Sequence, residues 1–528
     1  MARRSAGWRW LLAASVLAAA AVAVLRVTAS HDDADALFAA LPSSTGNVVV
    51  AQRLDALLGA VGKLDAQPAT PVELHQFASD LRTQSRALLG FDATRLAAWK
   101  KAGFDPAGAW ALAASGKHDD PFTYAYLPVS DAAAARSSLS TALARLGARV
   151  EERGEITRVV WQERGAAAMR PRALGVRGGF LAVAFSTEPA DATTALSKQL
   201  AGSGLSKSDS LRRLRETLGG SWSLFGYTAP QLVRTELKAQ GADEALGPLL
   251  EGGLAGALQL SDEKVSLRVR ALGDGQRLVQ TPFAAPHPPT DHSGPSTPLL
   301  AVRASVNVQA LLARLERDPN GARSVEAARA AVAALGLDLK RDVLEPLDGQ
   351  LAIGFLPPES GARGLFDVVA TAGVKDPKQS LARWAPAFSR AGLAQQPDGW
   401  FADPATALGP SGDALVLVGA PPSRRAAIEA AVSRGEKPFW SSLPADAREA
   451  FEHGPALYAY ADLERVAERL ANVKLPGGQG SKRVLRALQA ASAGLDLRDG
   501  MLVLDADLYP PPGGFAQALS GSKAEARR

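Results

Sequence analysis

The feature that most constrains this chain is that it repeats itself. Val48-Val-Val-Ala-Gln-Arg-Leu-Asp-Ala-Leu-Leu58 recurs in form as Leu300-Ala-Val-Arg-Ala-Ser-Val-Asn-Val-Gln-Ala-Leu-Leu312, each a strand running into a helix. Leu89-Gly-Phe-Asp92 answers Leu335-Gly-Leu-Asp338, and each leads through a polar helical stretch to a strand, Ala109 to Ser115 or Gln350 to Leu356. Tyr124 to Asp131 answers Val368 to Asp376, with an amphipathic helix behind each Asp. Phe180 to Phe185 answers Ala414 to Gly419, and Leu224 to Val233 answers Leu457 to Val466 at an offset of 233 residues. Last, Leu258 to Val269 answers Leu495 to Ala506, a polar turn between alternating strands. Matches in one order, at an offset that stays within about 230 to 255 residues, are the signature of a duplicated supersecondary unit. The fold must therefore be one that half of the chain can build.

Within each copy strands and helices are mixed, which gives an α+β class. Asp131, and Asp376 followed by Pro377, place a side-chain acceptor and then a proline where helices begin. Val265-Ser-Leu-Arg-Val-Arg270 alternates apolar and polar residues, the pattern of an antiparallel sheet with one covered face. The expectation is two tandem homologous lobes, each a mainly antiparallel sheet covered by helices. Their bounds are 31–281 and 299–509, separated by a Pro-rich extended linker at 282–298, because proline removes backbone donors. Residues 510–528, opening on Pro510-Pro-Pro-Gly-Gly514, read as a disordered tail.

Residues 1–30 read as a signal peptide or membrane anchor. Arg3, Arg4 and Arg9 precede Leu11 to Leu25, a run of Leu, Ala, Val and one Ser. That run falls short of the roughly 20 apolar residues of a spanning helix, and approaches it only if Gly7 to Val27 is counted. Val27-Thr28-Ala29 suits a cleavage site before Ser30, whereas Trp8, Trp10 and Arg26 suit an uncleaved anchor over residues 8–27. The positive flank leaves the N-terminus cytoplasmic and residues 31–528 across the inner membrane, single-pass with a periplasmic body or periplasmic after cleavage. Of the 59 Lys and Arg, four lie in this segment, which leaves 55 against 54 Asp and Glu. The body is nearly neutral, so no nucleic-acid partner is expected.

The chemistry-bearing residues form no recognisable catalytic set. The 528 residues include no Cys, which excludes disulfides, thiolate metal sites and a Cys nucleophile. There is no Gly-x-Ser-x-Gly elbow and no His-Glu-x-x-His. Gly477-Gly-Gln-Gly-Ser-Lys482 lacks the preceding strand of a phosphate loop, and reads as a flexible connection. Ser261 to Lys264 and Ser520 to Lys523 have a nucleophile-and-base spacing, but fall in a hairpin turn and the tail. None of His31, His75, His118, His287, His292 and His453 has a second His one helical turn away, so no metal site is expected. His31-Asp-Asp-Ala-Asp35 suits a helix N-terminus better than a cation, and His118-Asp-Asp-Pro121 a solvated turn. Asp505 and Asp507 share one strand face, a spacing open to paired-carboxylate chemistry or to a charged edge. Trp110, Tyr124, Tyr126, Trp161, Trp222, Phe225 and Tyr227, with Tyr458 and Tyr460, fall on strands, where core packing is expected. No cofactor is expected.

Leu335-Gly-Leu-Asp-Leu-Lys-Arg-Asp-Val-Leu-Glu-Pro-Leu-Asp-Gly-Gln-Leu-Ala-Ile-Gly354 resembles a segment of an uncharacterised exported bacterial protein family, known only as a domain of unknown function with tandem α+β repeats. In that family a Leu-Gly-Gly-Glu-like turn leads into the apolar strand, where this chain has Leu347-Asp-Gly-Gln350. The resemblance implies an envelope protein and carries over no catalytic residue. The function expected is a non-catalytic binding or structural protein of the bacterial envelope, taking an envelope protein or an apolar ligand as partner. The alternatives are an accessory subunit of an envelope transport or secretion machine, and a hydrolase whose site is assembled from distant residues.

Overall fold

The computed structural model describes residues 32–53, 89–115, 122–161, 170–186, 191–219, 222–240, 249–261, 264–273, 283–284, 292–294, 297–317, 319–358, 366–469 and 488–511, with isolated positions 55, 76, 79, 80, 82, 83, 85, 86 and 247. They are mixed helix and antiparallel sheet, an α+β fold. They divide into two compact units, one reaching to Asp274 with Gly500–Leu502, the other Gly275–Asp499 with Val503–Tyr509.

The first unit opens with helix α1 (Asp32–Ala40) and strand β1 (Thr45–Ala51), then α2 (Leu96–Lys101), β2 (Trp110–Ser115), β3 (Thr123–Pro128) and α3 (Ala132–Arg145). β4 (Ala148–Arg153), β5 (Ile156–Trp161), β6 (Arg170–Arg177) and β7 (Phe180–Ser186) follow. After α4 (Ala192–Ala201) and α5 (Asp209–Leu218) come β8 (Leu224–Thr228), α6 (Pro230–Gln240), β9 (Leu254–Leu260) and β10 (Val265–Leu272). The strands pair antiparallel in the order β4-β5-β6-β7-β3-β2-β1-β8-β9-β10. α3 packs Leu139 and Leu143 against Ala125, Leu181 and Val183 on one face. On the other, Phe38 of α1 meets the Phe225 ring at 5.6 Å, and Ser210 of α5 is 2.7 Å from the Tyr227 hydroxyl.

The second unit runs β11 (Leu300–Ser305), α7 (Val308–Arg317), α8 (Pro319–Ala334), a π-helical turn at Leu339–Leu344, β12 (Leu347–Leu356), β13 (Asp367–Val374) and α9 (Pro377–Arg390). Next come β14 (Ala394–Gln395), β15 (Phe401–Ala402), β16 (Thr406–Ser411), β17 (Ala414–Gly419), α10 (Pro422–Ser433) and α11 (Ala445–His453). β18 (Leu457–Asp462), α12 (Leu463–Arg469), β19 (Ala490–Arg498) and β20 (Met501–Tyr509) complete it. The strand order is β14-β15-β16-β17-β13-β12-β11-β18-β19, antiparallel throughout, with β20 beside β19. One core joins Ala352, Val369 and Val418 to Ile428 of α10 and Phe451 of α11, with Trp440 stacked on Phe451 and Phe439 edge-on to Trp440. A second lies under α9, where Leu381 meets Val374, Phe401 and Leu415.

Local signals hold at the helix ends. Asp131 accepts a hydrogen bond from the Ala134 amide and Asp376 one from the Gln379 amide, each at 2.9 Å, so both side chains satisfy an orphan donor. The two helices they open, α3 and α9, are each 14 residues long. Each is followed by a glycine at φ near +90°, Gly147 and Gly392, the left-handed conformation that stops a helix.

One expectation changes. In β10 the polar members point inward: Ser266 and Arg270 are buried under the α5 side of the sheet while Leu267 is 41% exposed. Alternation separates two faces but does not say which one a helix will cover. In the Pro-rich segment 282–298, the described residues are fastened to the second unit. Phe283 bridges Val306, the His292 amide donates to Ser411 Oγ at 2.9 Å, and the Phe439 amide donates to Ser293 Oγ at 3.2 Å. The apolar run of residues 1–30 and the tail beyond Pro511 lie outside the described residues; among those described, no helix is long and apolar enough to cross a membrane.

Candidate functional site

The second unit has an apolar sheet face, and among the described residues α9 seals one corner of it. Strands β19, β18, β11, β12, β13 and β17 are aligned in register, so their outward residues form rows. One row reads Ala491, Ala461, Leu300, Phe355, Val368 and Gly419. The next reads Ala493, Ala459, Val302, Ile353, Ala370 and Leu417, and the third Leu495, Leu457, Ala304, Leu351, Ala372 and Leu415. Not one of these side chains is polar. Leu415 is sealed beneath α9, whereas Leu351 is 37% and Leu417 39% exposed, and most of the others are half-buried. Sheets with one solvated face put polar residues there. At ordinary strand spacing the rows cover about 24 Å by 14 Å, the scale of patch that marks an interaction site.

In the first unit the corresponding outward positions of β8, β9 and β10 are Leu224, Gly226, Leu254, Leu258, Leu267 and Val269, but Asn47 and Thr228 interrupt them. The readable signal was the unbroken apolar stretch Leu351-Ala-Ile-Gly-Phe-Leu356, because a strand apolar at both parities is one covered on both faces.

Beneath this face the second unit buries a guanidinium. Arg303 of β11 is fully buried, and its Nη1 and Nη2 donate to the Glu452 and Pro455 carbonyls at the C-terminal end of α11, the first at 3.2 Å. Its Nε has no partner. Burial pulls its pKa down to about 10, against the opposing pull of Asp496 and Tyr458. Tyr458 and Tyr460 share that face, and burial pushes both hydroxyls up to about 12. Tyr126 in the first unit is fully buried with an unpartnered hydroxyl, and burial raises it further. Such phenols keep their protons at neutral pH and act as packing.

The other residues singled out from the sequence are scattered. Tyr124, Phe225 and Tyr227 are core residues, Trp222 is buried just ahead of β8, and Trp110 and Trp161 are half-buried. Asp35 is paired with Arg215 at 2.6 Å. Ser261 Oγ donates to the Lys264 carbonyl and accepts from the Lys264 amide, a turn that leaves that hydroxyl engaged with backbone. Asp505 and Asp507 lie half-buried on β20, the latter 3.5 Å from the Tyr509 hydroxyl. His292 Nδ1 lies 2.9 Å from the Glu436 carbonyl, and His453 is exposed at the end of α11. Among the described residues no three His, Asp or Glu converge on a common point where a metal would sit. His31, His75, His118, His287, residues 477–482, Ser520 and Lys523 lie outside the described residues.

No family model matches the chain, and no curated protein matches it. Among solved structures, crystal form III of TP0453 shares 12% identity over 45% of this chain and 98% of that one, with a TM-score of 0.24. Crystal forms IV and I share 10% and 12% identity over 44% and 46% of this chain and 96% and 100% of theirs, with TM-scores of 0.25 and 0.24. Likeness at that score identifies neither fold nor function.

Proposed function

We propose that the chain is a non-catalytic binding protein of the bacterial envelope, built of two homologous lobes and held at or exported across the inner membrane through residues 8–27. The observation that carries the binding role is the face of three apolar rows, for burying it against a partner removes from water what the fold itself leaves out. The lobes rest on agreement beyond the sequence matches. The strand order β4-β5-β6-β7-β3-β2-β1-β8-β9 is repeated strand for strand as β14-β15-β16-β17-β13-β12-β11-β18-β19, and Asp131 and Gly147 stand 245 residues before Asp376 and Gly392. Membership in the exported family of unknown function is part of the same reading.

The apolar face also favours the second reading, an accessory subunit of an envelope transport or secretion machine, because such a subunit must be docked while an isolated binding protein need not be. A photo-crosslinking residue in place of Leu351 or Leu417, in cells at native expression, separates them. A discrete protein adduct of constant mass supports the accessory subunit, and adducts with lipid or small molecules support the ligand-binding form. A face that captures nothing while the protein remains monomeric would sink both. The intact mass of the mature chain, starting at Met1 or at Ser30, decides between anchor and cleaved signal.

A further inference from the structure

A second surface, unrelated to the apolar sheet face, lies in the first unit between α4 and the strands beneath it. It is a groove of about 730 Å³, within the 300–1,000 Å³ usual for small-molecule sites. Its floor is apolar: Ile156 of β5 is buried, Val176 of β6 is half-buried, and Leu200 of α4 leans over Gly175, whose missing side chain makes the space. Its rim is cationic. Arg177, at the end of β6, is locked by Nη1 to the Gln199 carbonyl at 3.0 Å and Nη2 to the Gly202 carbonyl at 2.7 Å. Arg153, at the β4–β5 hairpin, reaches Glu151 at 3.5 Å, but that carboxylate is shared with Arg149 and Arg158 and leaves the cluster positive. Lys198 stands exposed on α4. Against these the groove sets one carboxylate, Glu155, and three hydroxyl residues. Thr194 is committed to Asp191, whereas the Thr193 hydroxyl is buried without a partner.

We propose that this groove binds a single-chain phosphate amphiphile, with its alkyl chain along Ile156, Val176 and Leu200 and its phosphate among Arg153, Arg177 and Lys198. Arg153 and Lys198 can turn donors toward a phosphate, and Arg177, whose Nη1 and Nη2 are held by the two carbonyls, adds a fixed positive charge beside them. The apolar floor accounts for the chain, since a bare anion would gain nothing from it. The proposal stands or falls separately from the sheet-face reading, because no groove residue lies in the second unit.

The test is calorimetric titration of the full-length protein in phosphatidylcholine nanodiscs, with empty nanodiscs as blank, using octyl phosphate, inorganic phosphate and octyl glucoside. Octyl phosphate is expected to bind at least tenfold more tightly than either of the others. The double variant Arg153→Glu, Lys198→Glu is expected to lose at least tenfold for octyl phosphate alone. Lys100→Glu with Lys340→Glu, the same charge change at exposed sites elsewhere, is expected to leave it unchanged. Inorganic phosphate binding as tightly would overturn the apolar half of the proposal, octyl glucoside binding as tightly the anionic half. Octyl phosphate binding that survives the first pair, in protein with unchanged circular dichroism, would overturn the site altogether.

Discussion

Arg303 illustrates how a single buried charge can be decided by geometry. Its fork reaches the Glu452 carbonyl, one of the orphan acceptors in the last turn of α11, and the Pro455 carbonyl just beyond the helix. A lysine would keep the buried charge and reach fewer of them; a methionine would remove the charge but leave carbonyls unpaired, at about 1–3 kcal/mol each. Desolvating a cation costs several kcal/mol, so Arg303→Lys is expected to be the more destabilising, with urea midpoints falling in the order wild type, Arg303→Met, Arg303→Lys. A lysine variant as stable as wild type would contradict this account. At Gly409 the constraint is space, since a Cβ there would lie inside the Trp400 ring. Gly409→Ala is expected to lose about 1–3 kcal/mol and to shift tryptophan emission to longer wavelength as Trp400 leaves the core. Asp342 supplies a pH dependence. Hydrogen bonds from the Arg341 guanidinium, at 2.9 Å, and from the Asp338 amide hold its carboxyl at about 2. The folded state therefore takes up this proton less readily than the unfolded chain, so the stabilisation is whole above about pH 4 and is lost as pH falls toward 2. Asp342→Asn is expected to lower stability at pH 6 and to flatten the acid limb of a pH-dependent melt between pH 4 and 2.

At the scale of elements, what could be read from sequence was what is settled locally. An aspartate before a helix is recognised three residues later by an amide, so Asp131 and Asp376 announced α3 and α9 without knowledge of the rest. Replacing either with Ala is expected to cost about 1 kcal/mol, and with Asn almost nothing, measured as thermal shifts of equal size in the two variants. Which side of a strand becomes interior was not local. Val265 to Arg270 alternates perfectly, yet α5 lies over Ser266 and Arg270 and leaves Leu267 outside. The same limit hid the candidate site. Arg303, Ala352 and Thr371 occupy the inner parity of their strands and Val302, Ile353 and Ala370 the outer, but only the packing of α10 and α11 on one side and of α9 on a corner of the other distinguishes core from open face. The π-helical turn at Leu339–Leu344 is another case, where the sequence pointed to an ordinary helical stretch and Asp342 turned inward to cap Asp338 instead.

For the whole molecule, the apolar rows bear on self-association more than on stability. Leu351 and Leu417 are 37% and 39% exposed, so a longer polar side chain at either position can carry its charge into water. Leu351→Glu with Leu417→Glu is expected to change stability by no more than about 1 kcal/mol, while reducing self-association on size-exclusion chromatography and abolishing the crosslinked adduct. Loss of the fold in that variant would show that the face is a core. The rows also have relief. Leu351, Ile353 and Phe355 of β12 stand up as a ridge beside one shallow furrow at Ala370 and Ala372 of β13, and Leu300 and Val302 of β11 widen that ridge toward a second furrow at Ala459 and Ala461 of β18 with Ala491 and Ala493 of β19. A flat partner would rest on the ridge and trap voids in the furrows. The surface is thus a mould for something that is itself ribbed, with two bulky ridges set apart by the width of two strands, β12 and β11.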